Sequence, residues 1–239
     1  MASAGVMMDP LPEAPLPREV TGAASPPGQT TVRPGEAPGA SREVAGGRWL
    51  LRAAMRRRMG PLQRLDAGLY LAVNGWPHPQ RLDRLARTIT VWTTGGWIWA
   101  GATFIAWLLG VPRSRRALVE LLPSMMAATW IVEYPIKTFF RRRRPFIKNV
   151  RALVVGKRPG SWSFPSGHTA SSFACAWVLS TVWPRSAPAF FTLASAVGFS
   201  RIYVGAHYPG DVLSGAFFGL AIAEAVRRLT RRLVGHTDP

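Results

Sequence analysis

The chain has 239 residues, a formal net charge of +18 and a hydrophobic fraction of 48%. The basic residues stand in short blocks between apolar segments, and no zinc-finger spacing or other nucleic-acid motif occurs, so the sequence predicts a membrane protein that meets anionic lipid and excludes nucleic acid as a partner. The single cysteine, Cys175, excludes an intrachain disulfide and argues against a metal–thiolate cluster.

Residues 1–46 differ in composition from the rest of the chain. They are rich in Pro, Gly, Ala and Ser and lack apolar periodicity, which predicts a disordered tail. The tail also lacks the basic start and continuous apolar run of a secretory signal, so we expect it to be retained. Residues 47–60 follow as a basic segment, which we expect to lie against the inner leaflet of a membrane. Residues 61–232 then form the predicted transmembrane domain, and 233–239 a short C-terminal tail.

Apolar segments fill the predicted domain. They are Leu62–Val73, Thr93–Val111, Ala117–Ile136, Ser171–Trp183, Ala187–Phe199 and Val212–Val226. Thr93–Val111 is the clearest, because it is uncharged over a length close to the ~20 residues that span a hydrocarbon core. The first segment carries Arg64 and Asp66 and the third carries Glu120 and Glu133, but a helix bundle can hide polar residues on its interior face. If the first segment crosses, the fold is an all-α polytopic transmembrane bundle of about six spans.

Loop charges orient this bundle. If the segments alternate, one side of the membrane collects arginines, and the positive-inside bias makes that side cytoplasmic. These arginines are Arg52, Arg56, Arg57, Arg58, Arg113, Arg115, Arg116, Arg185, Arg227, Arg228, Arg231 and Arg232. Both termini are then cytoplasmic, in a multi-pass protein of the plasma membrane. Three polar clusters meet on the opposite, outer face: Lys137 to Pro145, Phe164 to His168, and Ser200 to Asp211.

The polar clusters hold the side chains that phosphoryl transfer requires. Negative charge spreads over three oxygens in the transition state, so positioned cations and amides provide most of the catalysis. Lys137, Arg144 and Arg201 are the candidate cations, since arginine forks and a lysine point charge together can hold several phosphate oxygens. Ser166 and the Gly167 amide are further candidate donors, and Ser166 is also placed to cap the helix that follows.

Histidines supply the remaining chemistry. An imidazole can attack phosphorus if a carboxylate on its far nitrogen fixes the tautomer, which makes His207 the candidate nucleophile and Asp211 its candidate orienter. Asp211 also opens the last apolar run, where it is expected in the first turn of a helix. His168 can protonate the departing oxygen, because an unperturbed histidine titrates close to neutral pH. This scheme requires no metal and no cofactor.

Each cluster has a structural alternative when taken by itself. The Arg141–Arg144 run is typical of a solvated or membrane-flanking charge block. His168 after Ser-Gly is compatible with a simple helix start, and His207 beside Tyr-Pro-Gly with a turn. Asp211 has a competing interpretation as a structural cap. The occurrence of all three patterns in order in one short chain favours the phosphoryl-transfer site.

The pattern K-x6-RP, then PSGH, then SR-x5-H-x3-D resembles the type 2 phosphatidic acid phosphatase and vanadium haloperoxidase superfamily. The short, apolar chain resembles its membrane lipid-phosphatase branch, not the large soluble haloperoxidases. The resemblance implies that His207 is the nucleophile, His168 the general acid and Asp211 the residue that orients His207, without a divalent metal. It also implies that the phosphate is bound by Lys137, Arg144, Ser166, Gly167 and Arg201.

The resemblance further implies a lipid phosphate as substrate. A phosphate site at the outer membrane surface suits a substrate with a phosphate head and a tail that stays in lipid. The expected substrate is a polyprenyl diphosphate of the undecaprenyl type, with phosphatidic acid or phosphatidylglycerol phosphate as the nearest alternative. A phosphotransferase that passes the group to a lipid or sugar acceptor shares the covalent intermediate. A non-catalytic phospholipid-binding protein is a third reading, but it has no use for a nucleophile, an orienter and an acid together.

Overall fold

The computed structural model of this chain describes residues 60–75, 79–142, 144 and 162–234, and every element in them is helical. The helices are α1 (Pro61–Asn74), α2 (Gln80–Trp92), α3 (Trp97–Leu108), α4 (Ser114–Ile131), α5 (Lys137–Phe140), α6 (Gly167–Val182), α7 (Ala187–Tyr203) and α8 (Pro209–Val234). Short 3-10 turns cover Thr94–Gly96 and Pro184–Ser186, and a π-helical turn covers Val132–Ile136. The predicted tail 1–46, the basic segment up to residue 59, Pro145 and residues 235–239 lie outside the described residues.

The predicted helices are confirmed except at Thr93–Val111. That segment is not one helix, because Gly95 and Gly96 adopt φ angles of 65° and 79°, values that favour glycine and end a helix. The uncharged helix therefore begins only at Trp97. The helix before the break, α2, was not predicted from the sequence, because its charged residues obscure the apolar periodicity. None of the helices in the described ranges is both long enough and apolar enough to cross a membrane. The count of about six spans stays a prediction.

Small residues allow α8 to pack closely on α6. Gly215, Gly219 and Ala223 recur every four residues along α8 and are all buried, so they form one continuous strip of the helix surface. A β-carbon at Gly215 would lie 2.5 Å from the carbonyl oxygen of Ser166, and one at Gly219 would overlap the carbonyl of Ala170. A larger side chain at either glycine would therefore push α8 away from the start of α6, where predicted site residues lie.

The apolar core lies between α4, α6 and α8. Leu121 and Met125 of α4 pack there with Cys175 and Val178 of α6, all fully or almost fully buried. The interpretation of Cys175 as a small core residue is confirmed. The core fixes the relative positions of the helices whose ends carry the polar clusters.

The arginine-rich ends of α4 and α8 meet around one buried carboxylate. Glu120 Oε1 lies 3.0 Å from Arg116 Nε and 2.8 Å from Arg231 Nε. The Trp183 indole donates to the Pro112 carbonyl at 3.1 Å, so the C-terminal end of α6 lies at the same end of the bundle. The polar clusters therefore lie at the other end, as the alternation of segments predicted.

Candidate active site

His207 is held by a backbone carbonyl. Its side chain is buried, and Nδ1 lies 2.8 Å from the carbonyl oxygen of Ser163. Because a carbonyl only accepts, Nδ1 carries the proton and donates it to Ser163. Nε2 then has a free lone pair, and Arg144 Nη1 lies 3.3 Å away in position to donate to it. This tautomer is the one that an attack by Nε2 on phosphorus requires.

Burial lowers the pKa of His207 well below its ordinary value, and the charges of Arg144, Arg201 and Lys137 lower it further. The hydrogen bond to Ser163 opposes this shift. His207 is therefore neutral near pH ~7, as a nucleophile must be.

Asp211 contacts His207 but does not provide its hydrogen bond. Its Oδ2 lies 3.6 Å from His207 Nδ1, whereas the Ser163 carbonyl oxygen lies only 2.8 Å from the same nitrogen. The same oxygen accepts the Tyr208 amide at 2.9 Å, so the predicted first-turn position of Asp211 is confirmed. Burial raises the pKa of this carboxyl, and the charge of Arg142 opposes the rise. The Asp211 backbone carbonyl also accepts from the Ser166 amide at 2.9 Å, which joins the second and third polar clusters.

Lys137, Arg144 and Arg201 converge near the two histidines. Burial, together with the charge of the nearby Arg144, lowers the pKa of Arg201 to about 10. The pKa of Lys137 is also lowered, chiefly by burial, with Arg144 and Arg201 contributing. In the described part of the chain, Arg201 Nε is buried without a hydrogen-bond partner. These cations lower one another's pKa, and the Arg201 Nε donor is available to a further acceptor. The cluster is therefore suited to bind an anion.

His168 faces the same cations. Burial lowers its pKa well below the ordinary value, and Arg201, His207, Lys137 and Arg144 add to the shift, in that order. Its Nε2 lies 3.4 Å from the hydroxyl of Thr94. A bound phosphate would offset the positive charge and raise the pKa of His168 towards the range that a general acid needs.

Ser166 and Gly167 begin α6 as the sequence predicts. Ser166 is the N-cap residue, with its hydroxyl 2.9 Å from that of Thr169, and Gly167 is the first helical residue. A β-carbon at Gly167 would overlap the carboxylate of Glu133. A helix start favours an anion, because its first amides have no partner within the helix.

Further residues of the site were missed by sequence reasoning. Arg142 Nη2 lies 2.6 Å from Asp66 Oδ2, and its guanidinium stacks over the Tyr208 ring at 4.3 Å from the centroid. Asp66 Oδ1 also accepts the Gly210 amide at 2.7 Å. Asp66 could have been identified from the sequence, because a carboxylate in an apolar segment needs a partner. The Thr90 hydroxyl accepts from Arg201 Nη1 at 3.0 Å. No sequence pattern indicated Thr90, Thr94 or Ser163.

A family profile described as the PAP2 superfamily matches residues 117–234, which include all three polar clusters. The lipid A 4'-phosphatase of Porphyromonas gingivalis is 30% identical over 179 residues, which cover 69% of this chain and 72% of that protein. The chain belongs to the PAP2 superfamily. It is a lipid phosphate phosphatase.

A second relative and a solved structure are also similar to this chain. The putative undecaprenyl-diphosphatase YbjG of Escherichia coli is 28% identical over 118 residues, which cover 48% of this chain and 58% of that protein. The crystal structure of Aquifex aeolicus LpxE matches with a TM-score of 0.58 and 29% identity, and the match covers 69% of this chain and 95% of that one. Within the described ranges, no group of three or more His, Cys, Asp or Glu side chains could hold a metal ion.

Proposed function

We propose that this PAP2 phosphatase hydrolyses a phosphomonoester or diphosphate on a membrane lipid through a phosphohistidine at His207. The geometry of His207 carries the proposal. Its Nδ1 is committed to the Ser163 carbonyl, and its Nε2 faces Arg144 among the site cations. An imidazole held in this tautomer beside guanidinium donors is arranged to attack an anionic phosphoryl group.

The reaction proceeds in two displacements. In the first, His207 Nε2 bonds to phosphorus, the phosphorus–oxygen bond to the lipid breaks, and His168 gives its proton to the departing oxygen. In the second, water attacks phosphorus, the phosphorus–nitrogen bond breaks, and His168 takes the proton of the water. Throughout, the phosphoryl oxygens are held by Lys137, Arg144, Arg201, the Ser166 hydroxyl and the Gly167 amide, without a metal or cofactor. Asp211 positions the loop that carries His207 and adds negative charge near the imidazolium.

The lipid setting of the reaction is supported by the surface of the helices. Several large apolar side chains of α3 and α8 are exposed, including Ile105, Leu108, Leu213 and Phe217. Acyl chains would cover such surfaces in a bilayer. We therefore propose a multi-pass protein of the plasma membrane with about six spans, the site at its outer face and both termini in the cytoplasm.

The proposed substrate is a polyprenyl diphosphate of the undecaprenyl type, and the similarity to the Escherichia coli putative undecaprenyl-diphosphatase supports it. A second candidate is a phosphorylated lipid A. It is favoured by the longer match to the Porphyromonas gingivalis lipid A 4'-phosphatase. Both substrates present a terminal phosphate on an anchored lipid, so the same cation cluster serves either.

The test is phosphate release by the detergent-purified full chain, with chelator present. The panel holds a polyprenyl diphosphate, phosphorylated lipid A, phosphatidic acid and phosphatidylglycerol phosphate, each tested with wild type and with His207→Gln. Release from the polyprenyl diphosphate by wild type, but not by His207→Gln, supports the proposal. Preferred release from phosphorylated lipid A would make lipid A the substrate instead. No release from any lipid by folded protein overturns hydrolysis, and transfer to an added sugar or lipid acceptor would then identify a phosphotransferase.

A further inference from the structure

Glu133 is an acidic residue at the phosphate site that the mechanism does not use. It lies in the π-helical turn Val132–Ile136, which contains Pro135 and widens the helix just before Lys137. Its Oε1 lies 2.6 Å from Lys137 Nζ. The Glu133 side chain is 41% exposed, whereas that of Lys137 is only 9% exposed. A buried lysine therefore points to a carboxylate that remains free to turn towards solvent.

The Glu133 carboxylate faces the groups proposed to bind phosphate. It lies so close to Gly167 that a β-carbon there would overlap Oε1. Its charge also acts on Arg144 and Arg201, where it opposes the lowering of the pKa by burial. Lys137 and the start of α6 thus lie against one carboxylate whose charge also acts on both arginines, and a phosphoryl group would use the same partners.

We propose that Glu133 is an internal anion of the phosphate site, which the substrate's phosphoryl group displaces from Lys137 and which returns to Lys137 as inorganic phosphate leaves. A carboxylate and a phosphate that share the same cations repel one another, so the carboxylate weakens the binding of phosphate. This competition acts on the product as well as on the substrate, and it keeps released phosphate from occupying the site. The inference rests on the proposed function for the identity of the substrate.

A different role for Glu133 predicts the opposite result. If the carboxylate only holds Lys137 in place, its removal would leave the lysine misplaced and would weaken phosphate binding. If Glu133 competes with phosphate, its neutralisation strengthens binding. The sign of the change in affinity therefore separates the two roles.

The experiment measures the Kd of inorganic phosphate for the full chain by isothermal titration, for wild type and Glu133→Gln. We expect Glu133→Gln to bind phosphate about tenfold more tightly, because the nearest negative charge is gone. Glu133→Asp keeps the charge and should remain closer to wild type. Glu133→Ala provides a second neutral variant with the expected direction of Glu133→Gln.

Glu224→Gln is the matched control, since it makes the same chemical change on α8 at roughly 20 Å from Asp211 along the helix axis. Its phosphate affinity should equal that of wild type. Weaker or unchanged phosphate binding in both neutral variants, with melting curves like that of wild type, overturns the inference. Phosphate binding needs no turnover, so a failure of the lipid panel with tighter binding in Glu133→Gln would overturn the proposed function and leave this inference standing.

Discussion

The guanidinium of Arg142 donates a 2.7 Å hydrogen bond from Nη1 to the buried carboxylate of Asp211. Asp211 is thus paired with an arginine at one of the six unspecified positions of the K-x6-RP pattern, while His207 Nδ1 donates its hydrogen bond to the Ser163 carbonyl. Asp66 on α1 completes the arrangement through Arg142 Nη2 and the Gly210 amide. The first helix therefore supports the loop between α7 and α8 that carries the proposed nucleophile.

Arg142→Ala should lower kcat roughly 10- to 100-fold with little change in KM, because it releases Asp211 and shifts His207 without touching the phosphate. Arg142→Lys should recover part of the loss. Arg141→Ala is the matched control, since Arg141 is exposed and donates only to a local carbonyl among the bonds described. Steady-state kinetics on the preferred lipid provide the measurement. Equal kinetics for the alanine variants at the two positions would contradict the positioning role.

His207→Gln should lower kcat by at least about a thousandfold, since the glutamine keeps the volume and polarity of the side chain but cannot form a phosphohistidine. The measurement is phosphate release over hours at high enzyme concentration, alongside a melting curve to establish that the variant is folded. Turnover within tenfold of wild type would remove His207 as the nucleophile.

His168→Gln should harm substrates in proportion to how poor their leaving group is. We expect a loss of roughly 10²- to 10⁴-fold on an unactivated lipid phosphate, where the departing oxygen must be protonated. On an aryl phosphate with an acidic phenol the loss in the first step should be much smaller. The comparison uses the single-turnover rate of leaving-group release for both substrates. An identical loss on the two would rule out His168 as the acid in that step.

The pH profile follows from the lowered pKa values of the histidines. His168 gains its proton only as the pH falls, because burial and Arg201 lower its pKa. His207, whose pKa is lowered by burial and by Arg144, stays neutral over the same range. The kcat/KM for an unactivated lipid phosphate should therefore rise as the pH is lowered from ~8 to ~6. An aryl phosphate with a good leaving group should show a flatter profile, and a steeper one would contradict the assignment.

Much of the bundle was predictable because its signals are local. The apolar segments, the Ser166 cap and the first-turn Asp211 each depend on neighbouring residues, and the structure confirms them. The break at Gly95 and Gly96 was harder to predict, because uncharged sequence continues on both sides. Hydropathy measures the apolar character of a segment and is insensitive to a positive φ angle within it.

The site was predictable only as far as its residue types specify the chemistry. Cations and histidines at fixed spacings indicate phosphoryl transfer, but the acceptor at His207 Nδ1 is a backbone carbonyl, a group that every residue type carries. The link from Asp66 to Arg142 joins residues far apart in the chain, so no spacing rule reveals it. Glu133 was visible as an acidic residue in an apolar segment, but its position beside Gly167 depends on the packing of α4 against α6.

The most direct test of transfer to His207 is the stereochemical course at phosphorus. The preferred lipid is prepared with a chiral terminal phosphorothioate and hydrolysed by wild type in isotopically labelled water, and the configuration of the released thiophosphate is determined. Displacement by His207 and then by water inverts phosphorus twice, so we predict net retention. Net inversion would mean that water attacks the lipid phosphate directly, and it would contradict the phosphohistidine mechanism.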